Sequence, residues 1–166
     1  MDEGQTPAEP RRSPESDWLA IVKLTHDYCW AIDRRQWDAL HDVFDAEVEA
    51  DLGAGAMRGV EAVIARVSSV LGGLDASQHM VSTHQISVDG DVATGRCSVL
   101  AQHVRRGTEG GSRFLFGGWY EDEYRVGARG WRITRRRIVA SWTDGNRAVI
   151  APPTPPTPPT PTPPPA

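Results

Sequence analysis

The strongest constraint on this chain is a change of hydrophobic period about halfway along it. Through Leu71 the apolar residues recur at three- and four-residue steps, the spacing of amphipathic helices. From His79 onward they fall instead in β-branched and aromatic runs separated by turn signals. Helices followed by strands predict an α+β arrangement, with the helices packed against one face of a curved antiparallel sheet.

Ser16 is positioned to cap a first helix in which Ile21, Leu24, Tyr28 and Ala31 form the apolar stripe, widened by Trp18, Val22, Cys29 and Ile32. A second, short helix is expected from about Arg34 to Phe44, presenting Trp37, Leu40, Val43 and Phe44 on one side. A third, Gly59 to Leu71, is ended by Gly72-Gly73, and a short strand near Val48 to Leu52 precedes it. The later runs, His79 to Val88, Val92 to Val104, Ser112 to Val126 and Trp131 to Trp142, describe an antiparallel meander with a tight turn at Asp89-Gly90. A sheet bent around helices leaves an open concave end, where a small apolar ligand is enclosed with a few polar groups around it.

Composition narrows the partners. The 166 residues carry 18 basic and 22 acidic side chains, a net charge of -4, which argues against a nucleic-acid polyanion. Ten of the 13 prolines lie between Pro152 and Pro165, so the sequence divides into a disordered segment 1–15, one folded domain 16–146 and a Pro/Thr-rich disordered tail 147–166. That tail reads as a spacer, because no basic residue stands beside its P-x-x-P steps to orient it in an aromatic groove. Two cysteines, no stretch of about 20 apolar residues and no opening leader pattern give a reduced, cytoplasmic, membrane-free protein as the expectation.

Five histidines, His26, His41, His79, His84 and His103, are the candidate bases. Strand alternation places His84 with Met80, Ile86 and Val88 and favours it as the inward one, unless a bulge reverses the parity. His103 follows Cys97, Val99 and Ala101 on a small apolar face that suits a cavity wall. Tyr28 and Asp33, five residues apart at the end of the first helix, meet in a pocket only if the chain bends there; otherwise Asp33 caps the second helix with Gln36. Arg135, Arg136 and Arg137 read first as partners for Glu121-Asp122-Glu123, with one inward arginine as the alternative. No zinc-type spacing and no dinucleotide, phosphate-loop or serine-hydrolase motif is present, so no metal and no cofactor is expected.

The segments LTHDYCWAIDRRQWDALHDVF, SQHMVSTHQISVDGDVATGRCSVLAQHV and FLFGGWYEDEYRVGARGWRITRRR, in that order, resemble the SnoaL-like branch of the nuclear transport factor two-like superfamily. Within it the chain looks most like the group of scytalone dehydratase, bile acid 7-alpha-dehydratase and hexachlorocyclohexane dehydrochlorinase. The resemblance implies a cone-shaped α+β barrel and an Asp-His pair acting without metal or organic cofactor. It puts Asp33 at the aspartate, His79 in place of His84 at the catalytic histidine, and Tyr28 at a pocket tyrosine. It also puts His103 and Arg136 at substrate-binding positions. Three positions depart from the pattern: Thr83 where many relatives have asparagine, Ile32 where scytalone dehydratase has a tyrosine, and Tyr28 where the dehydrochlorinase has a lysine.

The expectation is a dehydratase-like lyase acting on a small, largely apolar hydroxylated or carbonyl substrate. His79 would remove a proton and Tyr28 or His103 would polarise the carbonyl or protonate the leaving hydroxyl. An isomerase or polyketide cyclase, or a binding or accessory protein, stands as the alternative on the same scaffold. The resemblance further implies a homotrimer, with a homodimer as the other assembly.

Overall fold

The computed structural model describes residues 12–151. Residues 1–11 and 152–166, which include the Pro/Thr-rich repeat, lie outside the described residues. Helix α1 runs Pro14–Asp33 and is capped by Ser13 rather than by Ser16. The Ser13 hydroxyl accepts the Ser16 amide at 3.2 Å and the Ser16 hydroxyl accepts the Ser13 amide at 2.8 Å, satisfying two amides that a helix start leaves free. Pro14 follows at the first position, where its missing N–H costs nothing. Arg12 holds this start down through ion pairs to Asp17 at 3.0 Å and Asp91 at 2.8 Å.

The expected second helix is a 3-10 turn, Trp37–Asp42, and Phe44 belongs to strand β1, Phe44–Asp51. Strand β2, Ala56–Arg58, pairs back on β1, and helix α2, Val60–Leu71, buries Val60, Val63, Val67 and Leu71 as its spacing predicts. The remaining strands are β3 (Ala76–Asp89), β4 (Val92–Val104), β5 (Arg113–Gly127) and β6 (Gly130–Gly145). A final 3-10 turn, Arg147–Ile150, buries Val149 completely, within the stretch that the sequence assigned to the tail. Among the described residues no helix is long and apolar enough to cross a membrane.

The sheet corrects the expected topology. Its order is β2-β1-β6-β5-β4-β3, an open row in which β2 and β3 each have a neighbour on one side only, so it is not a closed barrel. Nor is it wholly antiparallel, because β1 lies parallel to β6. The meander β3–β6 is antiparallel, as read from its turns. Instead of a closing strand, α1 lies against β3, so the free side of the sheet is filled by a helix. Ile21, Ile32, Leu40, Val48, Val63 and Ile133, each no more than 1% exposed, form the seam between the helices and the sheet. Burial of each such side chain contributes about 1.5–3 kcal/mol.

One irregularity in β3 decides which histidines face inward. The pairing with β4 shifts between Ser82 and Gln85, and Thr83 sits there at φ 55°. Ahead of the bulge the inward residues are Ser77, His79 and Val81; behind it they are His84, Ile86 and Val88. Both parities are therefore satisfied on one strand. The left-handed backbone at Thr83 suits asparagine and strains a β-branched residue. Thr83→Asn is expected to stabilise the fold by about 1 kcal/mol, read as a higher urea midpoint at unchanged slope; a lower midpoint would contradict a strained bulge.

Candidate functional site

Asp33 is the last residue of α1, and its carboxylate reaches across to β3 instead of capping the next turn. It accepts three hydrogen bonds there: from the Ser77 hydroxyl at 2.8 Å, from the His79 amide at 2.7 Å and from His79 Nδ1 at 2.7 Å. Burial opposes the charge on Asp33, but the His79 ring and amide and the Ser77 hydroxyl outweigh it and hold the carboxyl below its ordinary value. An ionised carboxylate only accepts, so Nδ1 of His79 carries a proton, and in the neutral form of the ring Nε2 is the nitrogen with the lone pair.

His79 lies at the wall of a cavity of about 280 Å³, close to the lower end of the range of small-molecule sites. Tyr28, His103 and Tyr120 line it with His79, among apolar residues such as Ile32 and Phe114. The rings of His79 and His103 meet edge to face, 5.3 Å between centroids. His103 Nδ1 donates to the Phe114 carbonyl at 3.3 Å, and burial together with the neighbouring His79 pushes its pKa down to about 4. A neutral His103 protonated on Nδ1 has Nε2 available only as an acceptor and has no proton there to give.

Tyr28 lines the same cavity and keeps its phenol proton. It is 3% exposed, and burial, partly offset by Arg136, pushes its phenol up to about 12, so it stays protonated at neutral pH. Tyr120 packs edge to face on it with centroids 5.8 Å apart, and burial raises its phenol further still. Sequence reasoning did not single out Tyr120 or Ser77. Ser77 was within reach, since it shares the inward parity of His79 two residues on.

Arg136 does not line the cavity, which corrects the expectation that it binds substrate. Its side chain is 0% exposed and meets Asp122 in a two-pronged pair, Nε to Oδ1 at 2.8 Å and Nη2 to Oδ2 at 2.7 Å. Strand register explains this: Arg137, Arg136 and Arg135 lie opposite Glu121, Asp122 and Glu123, so the basic and acidic runs pair as the sequence suggested. The guanidinium stacks behind Tyr28 at 4.4 Å and Tyr120 at 4.2 Å, beneath the cavity floor. From there its charge favours negative character on both phenols without touching a ligand.

His84, the inward candidate by alternation, is held by α1. Thr25 donates to the Val22 carbonyl at 2.7 Å, so His84 Nε2 must be the donor in its 2.8 Å contact with the Thr25 hydroxyl. His41 pairs with Glu61 at 3.4 Å, and His26 packs on His84. Among the described residues no group of three or more histidine, cysteine, aspartate or glutamate side chains is placed to hold a metal. Burial pushes the thiols of Cys29 and Cys97 up to about 12 and about 11, which leaves both unreactive.

An open α+β sheet whose helices cover a small cavity, with a histidine and an aspartate hydrogen-bonded at its wall, defines a class of ligand-enclosing folds used for several reactions. The model of the SnoaL-like domain matches residues 16–137, and the chain belongs to that family. An uncharacterized protein of Mycobacterium tuberculosis is 37% identical over 126 residues, 73% of this chain and 83% of the relative. A protein of Kribbella flavida has a similar structure, with a TM-score of 0.75 at 25% identity, over 80% of this chain and 95% of that one. A Novosphingobium aromaticivorans protein described as "Putative Scytalone Dehydratase" aligns with a TM-score of 0.71 at 22% identity, over 82% and 92% of the two chains. A hexachlorocyclohexane dehydrochlorinase aligns at 0.69 and 21%, over 86% and 98%. The last two likenesses establish a shared fold.

The carboxylate of Asp33 makes stability depend on acid. Its folded pKa is depressed, so its contribution is complete above the unfolded value of about 4 and is lost as pH falls through the lower folded one. Asp33→Asn is expected to cost about 1–3 kcal/mol at pH 7, and the gap between variant and wild type is expected to narrow below pH 4 in urea titrations. A gap that does not change with pH would mean that the carboxylate carries no special bonds.

Proposed function

We propose that the chain is a dehydratase-like lyase that works without a cofactor on a small, largely apolar β-hydroxy carbonyl compound. The observation that carries this reading is the 2.7 Å contact of His79 Nδ1 with Asp33 at the wall of the 280 Å³ cavity, which leaves Nε2 as the free base. His79 Nε2 takes the proton from the carbon beside the carbonyl, and Asp33 stabilises the imidazolium that forms. The electron pair moves toward the carbonyl oxygen, to which Tyr28 donates. Collapse of that enolate expels the β-hydroxyl, which leaves as water with the proton that His79 returns. An unsaturated carbonyl compound and water are the products, and the protein ends in its starting protonation state.

His103 fits this sequence as an acceptor that orients the substrate hydroxyl through Nε2. The names of the Novosphingobium protein and the dehydrochlorinase, both implying elimination, support the reaction class by fold. The halogen chemistry of the latter is not carried over, since Tyr28 stands where that family has a lysine.

The test is kinetic. On a β-hydroxy ketone that the wild type dehydrates, His79→Ala is expected to lower kcat by about 10²–10⁴-fold. Tyr28→Phe is expected to lower it by about 10²-fold with little change in KM. Full turnover by His79→Ala would remove the imidazole from the mechanism.

A further inference from the structure

The cavity has two unlike ends. His79, Tyr28, Tyr120 and His103 are at the buried end, whereas Gly53, Thr143 and Arg147 are lining residues that solvent reaches, with Arg66 half-buried beside them. Those four come from the β1–β2 loop, the end of β6, the last 3-10 turn and α2, and together they form the mouth. Among the described residues Arg66 and Arg147 are the only ones of fixed charge that line the cavity, and no aspartate or glutamate does so. Among the described residues neither arginine has an ion-pair partner; Arg34, Arg35, Arg96, Arg105, Arg113, Arg125 and Arg129 share that state, but none of those lines the cavity.

Two guanidiniums without ion-pair partners, on separate elements lining one cavity in a chain of net charge -4, suit an anionic group. We propose that the ligand of this cavity is an apolar molecule bearing an anionic group, a carboxylate or a phosphate, held at the mouth by Arg66 and Arg147 while its uncharged end reaches His79. This rests on the cavity being the site of the reaction proposed above, and it adds the substrate class. An anion fixed at one end and an apolar body between would set which carbon meets Nε2. Arg66 and Arg147 then act as specificity determinants, remote from the bonds that change.

The experiment is equilibrium binding of three probes to the full chain, 2-naphthoate, 2-naphthyl phosphate and 2-naphthylmethanol, followed by their fluorescence. The wild type is expected to prefer at least one anion over the alcohol by about tenfold, and the ratio of the two anions identifies the group. Arg66→Gln and Arg147→Gln are each expected to weaken the preferred anion about fivefold and to leave the alcohol unchanged. Raised salt is expected to erode the preference. Equal affinity for all three probes, no anion binding at millimolar concentration, or a preference that survives the double variant would each overturn the proposal. His79→Ala separates the two claims, since it is expected to keep the anion preference while losing turnover. A preference lost in His79→Ala and kept in the arginine variants would put the anion on the imidazole and refute the mouth site.

Discussion

The site depends on a single carboxylate that accepts three hydrogen bonds from one strand. Asp33 ends α1, and by binding the Ser77 hydroxyl together with the amide and ring of His79 it fastens the helix end to the outermost strand of the sheet. That strand has no partner on its far side, so the helix does the work that a further strand would do in a closed barrel. The same contact fixes the imidazole tautomer of a residue that lines the cavity. Fold and site thus share one anchor, and loss of the carboxylate disturbs both.

Beneath the cavity a second arrangement keeps polar groups in working form. Arg136 and Asp122 are removed from water together; Nε and Nη2 each meet a carboxylate oxygen and Tyr124 donates to the same carboxylate at 2.9 Å, while Nη1 has no hydrogen-bond partner among the described residues. Tyr28 and Tyr120 lie over this pair and remain neutral phenols, while His103 remains a neutral imidazole. Among the described residues the buried end of the cavity is therefore lined by two imidazoles and two phenol rings, with no carboxylate in its wall. Fixed dipoles in such surroundings act strongly on charge that develops during a reaction.

Local patterns were legible in the sequence, and long-range geometry was not. The stripe Val60, Val63, Val67 and Leu71 announced α2 because helix spacing is set within the segment itself. The pairing of the Arg135–Arg137 run with Glu121–Glu123 was readable from charge alone. The bulge at Thr83 was not, since a backbone turned to φ 55° leaves no mark on the apolar pattern, and alternation alone therefore pointed to His84. Resemblance to the family pointed to His79, whose Nδ1 the structure places 2.7 Å from Asp33. The parallel junction of β1 with β6, and with it the open sheet, depends on a crossover that no local signal encodes. Arg66 and Arg147 escaped notice for the same reason, because they reach one cavity from α2 and the last turn, segments far apart in the sequence.

The proton on the His79 ring tests the central claim most directly. Long-range proton–nitrogen NMR on ¹⁵N-histidine protein, at a pH where the ring is neutral, reads which nitrogen carries it. The account predicts Nδ1–H with a bare Nε2 in the wild type, and loss of that preference in Asp33→Asn. A ring protonated on Nε2, or a tautomer indifferent to Asp33, would contradict it.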